Sequence, residues 1–264
     1  MLALHSYFRS SASYRVRIAL NLKGLPYTYV PVHLLRDGGQ QHTDDYQRVN
    51  PAKLVPTLVE NGHAIGQSLA IMEYLDETHP DPALLPLDPL GRARVRALAQ
   101  SVACEIHPLN NLRVLQYLDN DLRVDEAAKA TWYRHWITLG FTAIEAILVN
   151  DPSTGTFCHG NTPGLADCCL IPQIAKALER HLHDTRTKAL GDFDHAVRAA
   201  RIGDDDFVGP QDAIHRRRDF LRLIEGDDVG GDFWLNGATH LDFSSFSSRS
   251  LAWKRRSDAN GHVL

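Results

Sequence analysis

The sequence has few cysteines and lacks long apolar runs. Its four cysteines form no C-x-x-C pair and no cysteine–histidine array with zinc-finger spacing, which argues against a disulfide framework, a redox dithiol or a structural metal site. We expect them to be buried free thiols. No apolar run reaches the ~18 residues of a membrane-spanning helix, and the first residues show no basic region followed by an apolar block. These absences predict a cytoplasmic protein with no membrane or metal partner.

A strong excess of charge of either sign is also lacking. The formal net charge is −4 at pH 7 and the isoelectric point is near 6.4, so the charge balance gives no reason to expect nucleic acid as a partner. With 264 residues, 44% of them hydrophobic, the chain is long enough for a substantial core and one or two domains. The composition therefore favours a protein that acts on a small molecule.

The pattern of the first segment predicts a strand, a polar turn and a helix. Residues 2–7 suit a short strand, and a serine-rich turn at 10–13 precedes apolar residues at helical spacing, with Gly24 as the stop signal. A helix N-terminus gathers unpaired backbone N–H groups and a partial positive charge, so hydroxyl groups placed there can help to hold an anion. Residues 8–24 thus predict an anion site and leave the anion open.

The segments that follow complete a compact α/β unit. Residues 27–32 are rich in β-formers, which predicts a β-α-β unit with a parallel strand pair. Strands at 55–59 and 63–65 flank the two-residue turn Asn61-Gly62, a typical hairpin. A second amphipathic helix then begins at Ser68 and ends near residue 79.

Prolines at 80, 82, 86 and 89 mark a linker, after which the hydrophobic period changes. Apolar residues at three- and four-residue steps predict long helices over 92–118 and 125–149, and a third helix from Leu165. The fold class is therefore α/β plus all-α. The predicted organisation is an α/β domain at 1–79, a linker at 80–88, a helical domain at 89–180 and an atypical tail at 181–264. The helical domain is expected to be incomplete.

The tail has a different composition from the rest of the chain. It contains an acidic run at 204–206, an arginine run at 216–218, a serine-rich stretch at 243–250 and a basic cluster at 254–256. We predict low order there, with one helix near 211–225. Two origins stay open: a change of reading frame near codon 175, or a genuine extension with its own partner.

Several motifs together resemble the zeta-class glutathione transferases. They are Ser-Ser-x-Ser-x-Arg-Val-Arg-Ile-Ala-Leu at 10–20, Asp-Gly-Gly-Gln-Gln at 37–41, Asn-Pro at 50–51 with Val-Pro-Thr-Leu at 55–58, and Gln-Ser-Leu-Ala-Ile at 67–71 with Glu-Tyr-Leu at 73–75. Their order and spacing make the signal specific, and the likeness extends to about Gln173. The resemblance implies glutathione-transferase architecture, with a thioredoxin-like first domain, a helical second domain and a homodimer.

The resemblance implies that the anion is the thiolate of glutathione. A free thiol has a pKa of about 8.5, and lowering it by ~2 units requires about 2.7 kcal/mol. A helix N-terminus stabilises a nearby anion by ~0.3–2 kcal/mol, and a charge-assisted hydrogen bond from a hydroxyl by ~1.5–3 kcal/mol. The two together therefore suffice to lower the pKa of the thiol by this amount. Ser10 is the predicted thiolate donor and Ser11 the second candidate, because a cap and its neighbour cannot be separated from sequence.

The same resemblance implies further contacts with glutathione. Val55 is expected to offer its backbone to the cysteinyl amide, while Gln67 and Ser68 meet the γ-glutamyl carboxylate at the second helix N-terminus. The full set of predicted glutathione-binding residues is Ser10, Ser11, Gln41, Val55, Gln67, Ser68, His107 and Asn111.

The implied reaction is the cis–trans isomerisation of maleylacetoacetate to fumarylacetoacetate, a step of tyrosine and phenylalanine catabolism. Reversible thiolate addition turns the double bond into a single bond, rotation follows, and elimination returns the cofactor unchanged. Arg9 and Arg113 are predicted to pair with the carboxylates of the dicarboxylate substrate, because a guanidinium matches a carboxylate. Arg15 and Arg17 are weaker candidates for this role and are expected instead to face solvent or to pair with an acid on the sheet.

Departures from the family pattern keep alternatives open. Ala12 stands where the family often has cysteine, and Gly164 where it usually has a Ser or Thr helix cap, which is expected to cost little. After Ile174 the family's substrate-contacting arginine has no trustworthy match. The alternatives are maleylpyruvate as substrate, a zeta-type transferase acting on α-halo acids, and a glutathione-binding protein without turnover.

Overall fold

The computed structural model describes residues 1–183, and side chains as far as Ala177. Within them lie the strands β1 (Leu2–Ser6), β2 (Tyr27–Pro31), β3 (Thr57–Glu60) and β4 (His63–Gly66). The helices are α1 (Ser11–Leu22), α2 (Asp44–Val49), α3 (Ser68–Thr78), α4 (Pro89–Gln100), α5 (His107–Asn110), α6 (Leu112–Asn120), α7 (Glu126–Asn150) and α8 (Leu165–His183). The predictions for 184–264, including a helix near 211–225, lie outside the described residues.

The four strands form one mixed sheet in the order β2-β1-β3-β4. β1 and β2 are parallel, as the β-α-β prediction requires, and β3 runs antiparallel to both β1 and β4. Asn61 and Gly62, between β3 and β4, both have positive φ, the conformation of a type I′ hairpin turn. The predicted thioredoxin-like arrangement of sheet and helices is confirmed.

Packing of α1 connects the sheet to the later helices. Its apolar face buries Val16, Ala19 and Leu20 completely, and α1 packs against both α3 and α8. The described residues all fall in one compact unit, so contacts cross the predicted linker. The division into domains at 1–79, 80–88 and 89–180 stays a prediction.

The predicted single helix over 92–118 is wrong, because the chain divides there into several segments. α4 ends at Gln100, a π-helical segment occupies Ser101–Ile106, and α5 and α6 follow. Pro108 gives the physical reason: it lacks an N–H, and its ring excludes the carbonyl four residues earlier, so the preceding turn widens. The predicted break near Asn120 and the long helix after it are confirmed by α7.

The start of α8 explains the glycine at position 164. Asp167 accepts hydrogen bonds from the backbone N–H groups of Cys158, at 2.9 Å, and Gly164, at 2.8 Å. A Cβ on Gly164 would lie 2.9 Å from the carbonyl oxygen of Leu84. The close approach of the Leu84 carbonyl therefore favours glycine here, while Asp167 supports the first turn. α8 begins at Leu165 as predicted and continues to His183, past the predicted domain limit at 180.

A search of the helices within 1–183 found none that is long and apolar enough to cross a membrane.

Candidate active site

The segments with predicted glutathione-binding residues converge at one edge of the sheet. The C-terminal ends of β1, β2 and β4 and the N-terminal end of β3 are aligned by the pairs Ser6–Pro31, His5–Thr57 and Thr57–Gly66. The loops that contain Ser10, Gln41 and Val55, and the turn into Ser68, each begin or end at this edge. Strand register thus brings together residues that are far apart in sequence.

Ser10 is the N-cap of α1. Its backbone is extended, and its Oγ accepts a hydrogen bond from the Ser13 N–H at 3.2 Å. Because the oxygen is the acceptor in that bond, the hydroxyl hydrogen remains able to donate elsewhere. Ser11, which is buried, is the first helical residue, and its N–H belongs to the first turn, where no intrahelical acceptor exists. The structure therefore assigns the cap to Ser10.

Hydrogen bonds fix the loop that presents Val55. The Tyr46 hydroxyl donates to the Leu54 carbonyl at 2.6 Å, and the Asn50 side-chain amide donates to the same carbonyl at 2.9 Å. Asn50 also donates to Thr57 Oγ1 at 2.8 Å. The Val55–Pro56 peptide bond is cis. The residues on both sides of Val55 and Pro56 are thus fixed, and Val55 lies just before β3 at this edge of the sheet.

Gln41 is buried, and only the nitrogen of its side-chain amide makes a hydrogen bond among the described residues. Its Nε2 donates to the Leu34 carbonyl at 3.3 Å, while its Oε1 has no hydrogen-bond partner among the described residues. Gly39 adopts a positive φ of 98°, and a Cβ there would lie 2.5 Å from the Gln41 amide. The absence of a side chain at Gly39 therefore makes room for the Gln41 amide.

The start of α3 differs from that of α1 because it has no side-chain cap. Gln67 precedes the helix with a positive φ of 67° and makes no capping hydrogen bond. Ser68, the first helical residue, is buried and accepts a hydrogen bond from Arg15 Nη1 at 3.1 Å. Gln67 itself is exposed. Uncapped N–H groups and a buried cation thus meet at the predicted carboxylate site.

The expectation that Arg15 faces solvent or pairs with an acid is wrong. Its exposed fraction is 2%, and burial lowers the pKa of its guanidinium. Arg15 lies on the face of α1 that packs into the molecule, where Ser68 is its hydrogen-bond partner. Arg17 instead donates to the Phe8 carbonyl at 3.3 Å and lies over the Tyr14 ring.

The predicted site residues that follow the linker differ in their burial and in their hydrogen bonds. His107 is half-buried, and burial lowers its pKa to about 3, an effect that the nearby Arg15 charge strengthens and a hydrogen bond with Gln173 opposes. Asn111 caps α6, since its Oδ1 accepts from the Val114 N–H at 3.1 Å. Arg113 on α6 and Arg9 before α1 are both exposed. His107 is therefore neutral at physiological pH, which leaves the arginines as the cations of the predicted set.

Sequence reasoning missed two buried polar residues beside this site, Arg15 and Gln173. Gln173 on α8 is 2% exposed, hydrogen-bonds with His107, and has an Oε1 without a partner among the described residues. The available signal was a glutamine within the apolar stripe of α8. It was weak, because polar residues on helices usually face solvent.

The pKa of His107 predicts a pH dependence of stability. The unfolded imidazole binds a proton near pH 6.5 and the folded one only near pH 3, so the unfolded state is favoured as the pH falls. The contribution is complete above pH 6.5 and declines by up to about 1.4 kcal/mol per pH unit below it. Urea unfolding from about pH 7 to about pH 4 should show a shallower decline for His107→Gln than for the wild type. His63→Gln, at an exposed position, is the control, and equal slopes for His107→Gln and the wild type contradict the assignment.

Known proteins share the segments that form this site. The sequence profile of the family described as Glutathione S-transferase, N-terminal domain, matches residues 4–83, a range that contains Ser10, Gln41, Val55 and Ser68. A probable maleylacetoacetate isomerase of Vibrio cholerae is 47% identical to this chain over 198 residues, which are 75% of this chain and 91% of that protein. The similarity therefore continues well beyond the sheet.

Solved structures are similar over the same extent. A holo maleylpyruvate isomerase, a bacterial glutathione S-transferase of the zeta class, has a TM-score of 0.66 and 44% identity, with 75% of this chain and 96% of that chain covered. A maleylacetoacetate isomerase from Methylobacterium extorquens AM1, with bound malonate and glutathione, has a TM-score of 0.68 and 33% identity, with 84% and 95% covered. Both share the arrangement of sheet and helices described above.

Proposed function

The chain belongs to the zeta class of the glutathione S-transferases, and from this premise we propose that it catalyses the glutathione-dependent cis–trans isomerisation of maleylacetoacetate to fumarylacetoacetate. The observation that carries the proposal is the start of α1. There Ser10 caps the helix with its oxygen and retains its hydroxyl hydrogen for an anion, next to unpaired N–H groups of the first turn.

The described residues fit glutathione on physical grounds. Gln41 Oε1 is a buried acceptor without a partner among residues 1–183, and the first turn of α3 has no side-chain cap. A bound peptide-like ligand satisfies such groups. The residues proposed to hold glutathione are those predicted from the sequence: Ser10, Ser11, Gln41, Val55, Gln67, Ser68, His107 and Asn111.

Glutathione supplies a thiolate that can add reversibly to a conjugated alkene and so permit rotation about it. The contribution of this chain is to favour the deprotonated sulfur, through the hydroxyl hydrogen of Ser10 and the N-terminus of α1. The buried cysteines of the chain do not provide such a nucleophile, because burial raises the pKa of the Cys158, Cys168 and Cys169 thiols.

Arg9 and Arg113 are proposed to bind the substrate carboxylates. Both residues are exposed, and a guanidinium pairs with a carboxylate through two parallel hydrogen bonds. The neutral His107 cannot supply that charge. Its ring nitrogens remain able to hydrogen-bond the peptide backbone of a ligand.

The proposal is tested with the purified full-length chain, maleylacetoacetate and a catalytic amount of glutathione. We expect the absorbance of the cis enone to disappear while the concentration of free thiol stays constant, because an isomerase returns its cofactor. Consumption of one thiol per substrate contradicts isomerisation and favours transfer. Saturable glutathione binding without any turnover favours the binding-protein alternative.

Maleylpyruvate is the second candidate substrate, and similarity to the holo maleylpyruvate isomerase favours it. Both substrates are cis enones with two carboxylates, so the pairing with Arg9 and Arg113 applies to each. Parallel measurements of kcat/KM for the two acids decide between them, and conversion of dichloroacetate alone indicates a transferase that acts on α-halo acids.

We further propose that the protein is a cytoplasmic homodimer with a role in tyrosine and phenylalanine catabolism. Resemblance to the family supports the dimer and the pathway. Four free cysteines, three of them buried, suit a reducing compartment. The expectation that all four are buried is wrong for Cys104, which is exposed on the π-helical segment.

A further inference from the structure

Arg15 is a buried cation that faces no carboxylate among the described residues. Its exposed fraction is 2%, and its Nε and Nη2 have no hydrogen-bond partner among residues 1–183. The neighbouring groups are the Ser68 hydroxyl, the His107 ring and the thiols of Cys104 and Cys169. A buried charge normally requires a partner of opposite sign, because its desolvation is unfavourable. Arg15 therefore has unused capacity to stabilise an anion.

Among the residues that the structure describes, Arg15 makes one side-chain hydrogen bond, and it leads to the start of α3. Its Nη1 donates to Ser68 Oγ at 3.1 Å. A hydroxyl that accepts from a cation directs its own hydrogen elsewhere and becomes a stronger donor. The N–H groups of the first turn of α3 have no side-chain cap. The guanidinium, the hydroxyl and the helix N-terminus therefore all favour negative charge at the same place.

We propose that Arg15 is the buried counter-charge for the α-carboxylate of the γ-glutamyl group of glutathione and that it acts through Ser68. This inference rests on the proposed function, which supplies glutathione as the ligand. Arg15 is a positioning residue: it orients and polarises the Ser68 hydroxyl that meets the carboxylate. Helix α1 consequently serves two groups of the ligand, with Ser10 at its N-cap for the cysteinyl sulfur and Arg15 further along for the γ-glutamyl carboxylate.

The test compares two ligands on several variants. Glutathione carries the α-carboxylate, and 4-aminobutanoyl-Cys-Gly is the same molecule without it. By calorimetry, Arg15→Met is expected to raise the Kd for glutathione about 10- to 100-fold and the Kd for the analogue less than about 3-fold. Arg17→Met, on the same helix but outside the binding residues, is the matched control and should leave both Kd values unchanged.

Action through Ser68 has its own signature. Ser68→Ala is expected to abolish the preference for glutathione over the analogue. The Kd for glutathione in the double variant Arg15→Met with Ser68→Ala should be little higher than in either single variant, because the two groups form one unit. Full additivity of the two changes contradicts coupling through the hydroxyl. Arg15→Lys, which keeps the charge, should retain most of the preference for glutathione.

Several outcomes overturn the proposal without affecting the proposed function. Equal weakening of both ligands in Arg15→Met indicates a structural role, and unchanged binding of glutathione indicates no role. If thermal unfolding shows that Arg15→Met does not fold, Arg15→Gln gives the same comparison, since it removes the charge and keeps a donor. Failure of the wild type to bind glutathione contradicts the proposed function instead.

Discussion

Ser10→Ala is expected to raise the pKa of the bound glutathione thiol by about 1–2 units and to lower turnover about 10- to 100-fold. The physical reason is the loss of one charge-assisted hydrogen bond, worth ~1.5–3 kcal/mol, from the Ser10 hydroxyl to the sulfur. The N-terminus of α1 remains, so some activation should persist. Ultraviolet titration of the thiolate in the enzyme complex measures the pKa, and the enone assay measures turnover.

Ser13→Ala is the matched control for Ser10→Ala. Ser13 lies on the same helix, and its buried hydroxyl has no hydrogen-bond partner among the described residues. Removing it should change neither the titration nor the rate.

Ser11→Ala separates the two candidate donors. An unchanged titration in Ser10→Ala together with a shift in Ser11→Ala transfers the role to Ser11. Loss of the cap by itself should reduce stability by only ~1 kcal/mol.

Lys23→Met is expected to lower the free energy of unfolding by about 3–5 kcal/mol, since it removes the cation that pairs with the buried Asp76 carboxylate, which keeps its hydrogen bond from the Leu84 N–H. The Lys23 side chain has no exposed surface, and its Nζ donates to Asp76 at 2.8 Å, to the His79 carbonyl at 2.7 Å and to the Pro82 carbonyl at 2.8 Å. All three ammonium hydrogens are thus used. Urea unfolding measures the loss.

Two further variants make this prediction specific. Lys23→Met with Asp76→Leu should recover part of the lost stability, because removing both charges is less unfavourable than removing one. Arg48→Met breaks the ion pair between Arg48 and Asp45, whose side chains are 73% and 90% exposed, respectively. It should lower the free energy of unfolding by less than about 1 kcal/mol. A loss in Lys23→Met as small as that in Arg48→Met contradicts a structural role for the buried pair.

Local signals in the sequence predicted most of the first eighty residues. The Asn61-Gly62 turn fixed the hairpin because both residues accept positive φ, and the hydroxyl residues before Val16 and Ile71 placed the starts of α1 and α3. These features depend on neighbours in the chain. The resemblance then indicated which of them are proposed to form the glutathione site.

Contacts between residues far apart in sequence could not be predicted from such local signals. The Arg15–Ser68 hydrogen bond joins residues 53 positions apart, so nothing near Arg15 indicated its burial. The π-helical segment at Ser101–Ile106 was missed for another reason, since its apolar residues keep a spacing that also fits an α-helix. The choice between Ser10 and Ser11 as cap required backbone angles and not residue types.

The convergence of loops at one sheet edge has a consequence for how this protein family can diversify. Every segment that meets there precedes residue 80, whereas Arg113 lies on a helix after the linker. If the proposed roles hold, substitutions in the later helices are expected to alter which acid is accepted and to leave unchanged the groups before residue 80 that are proposed to activate sulfur.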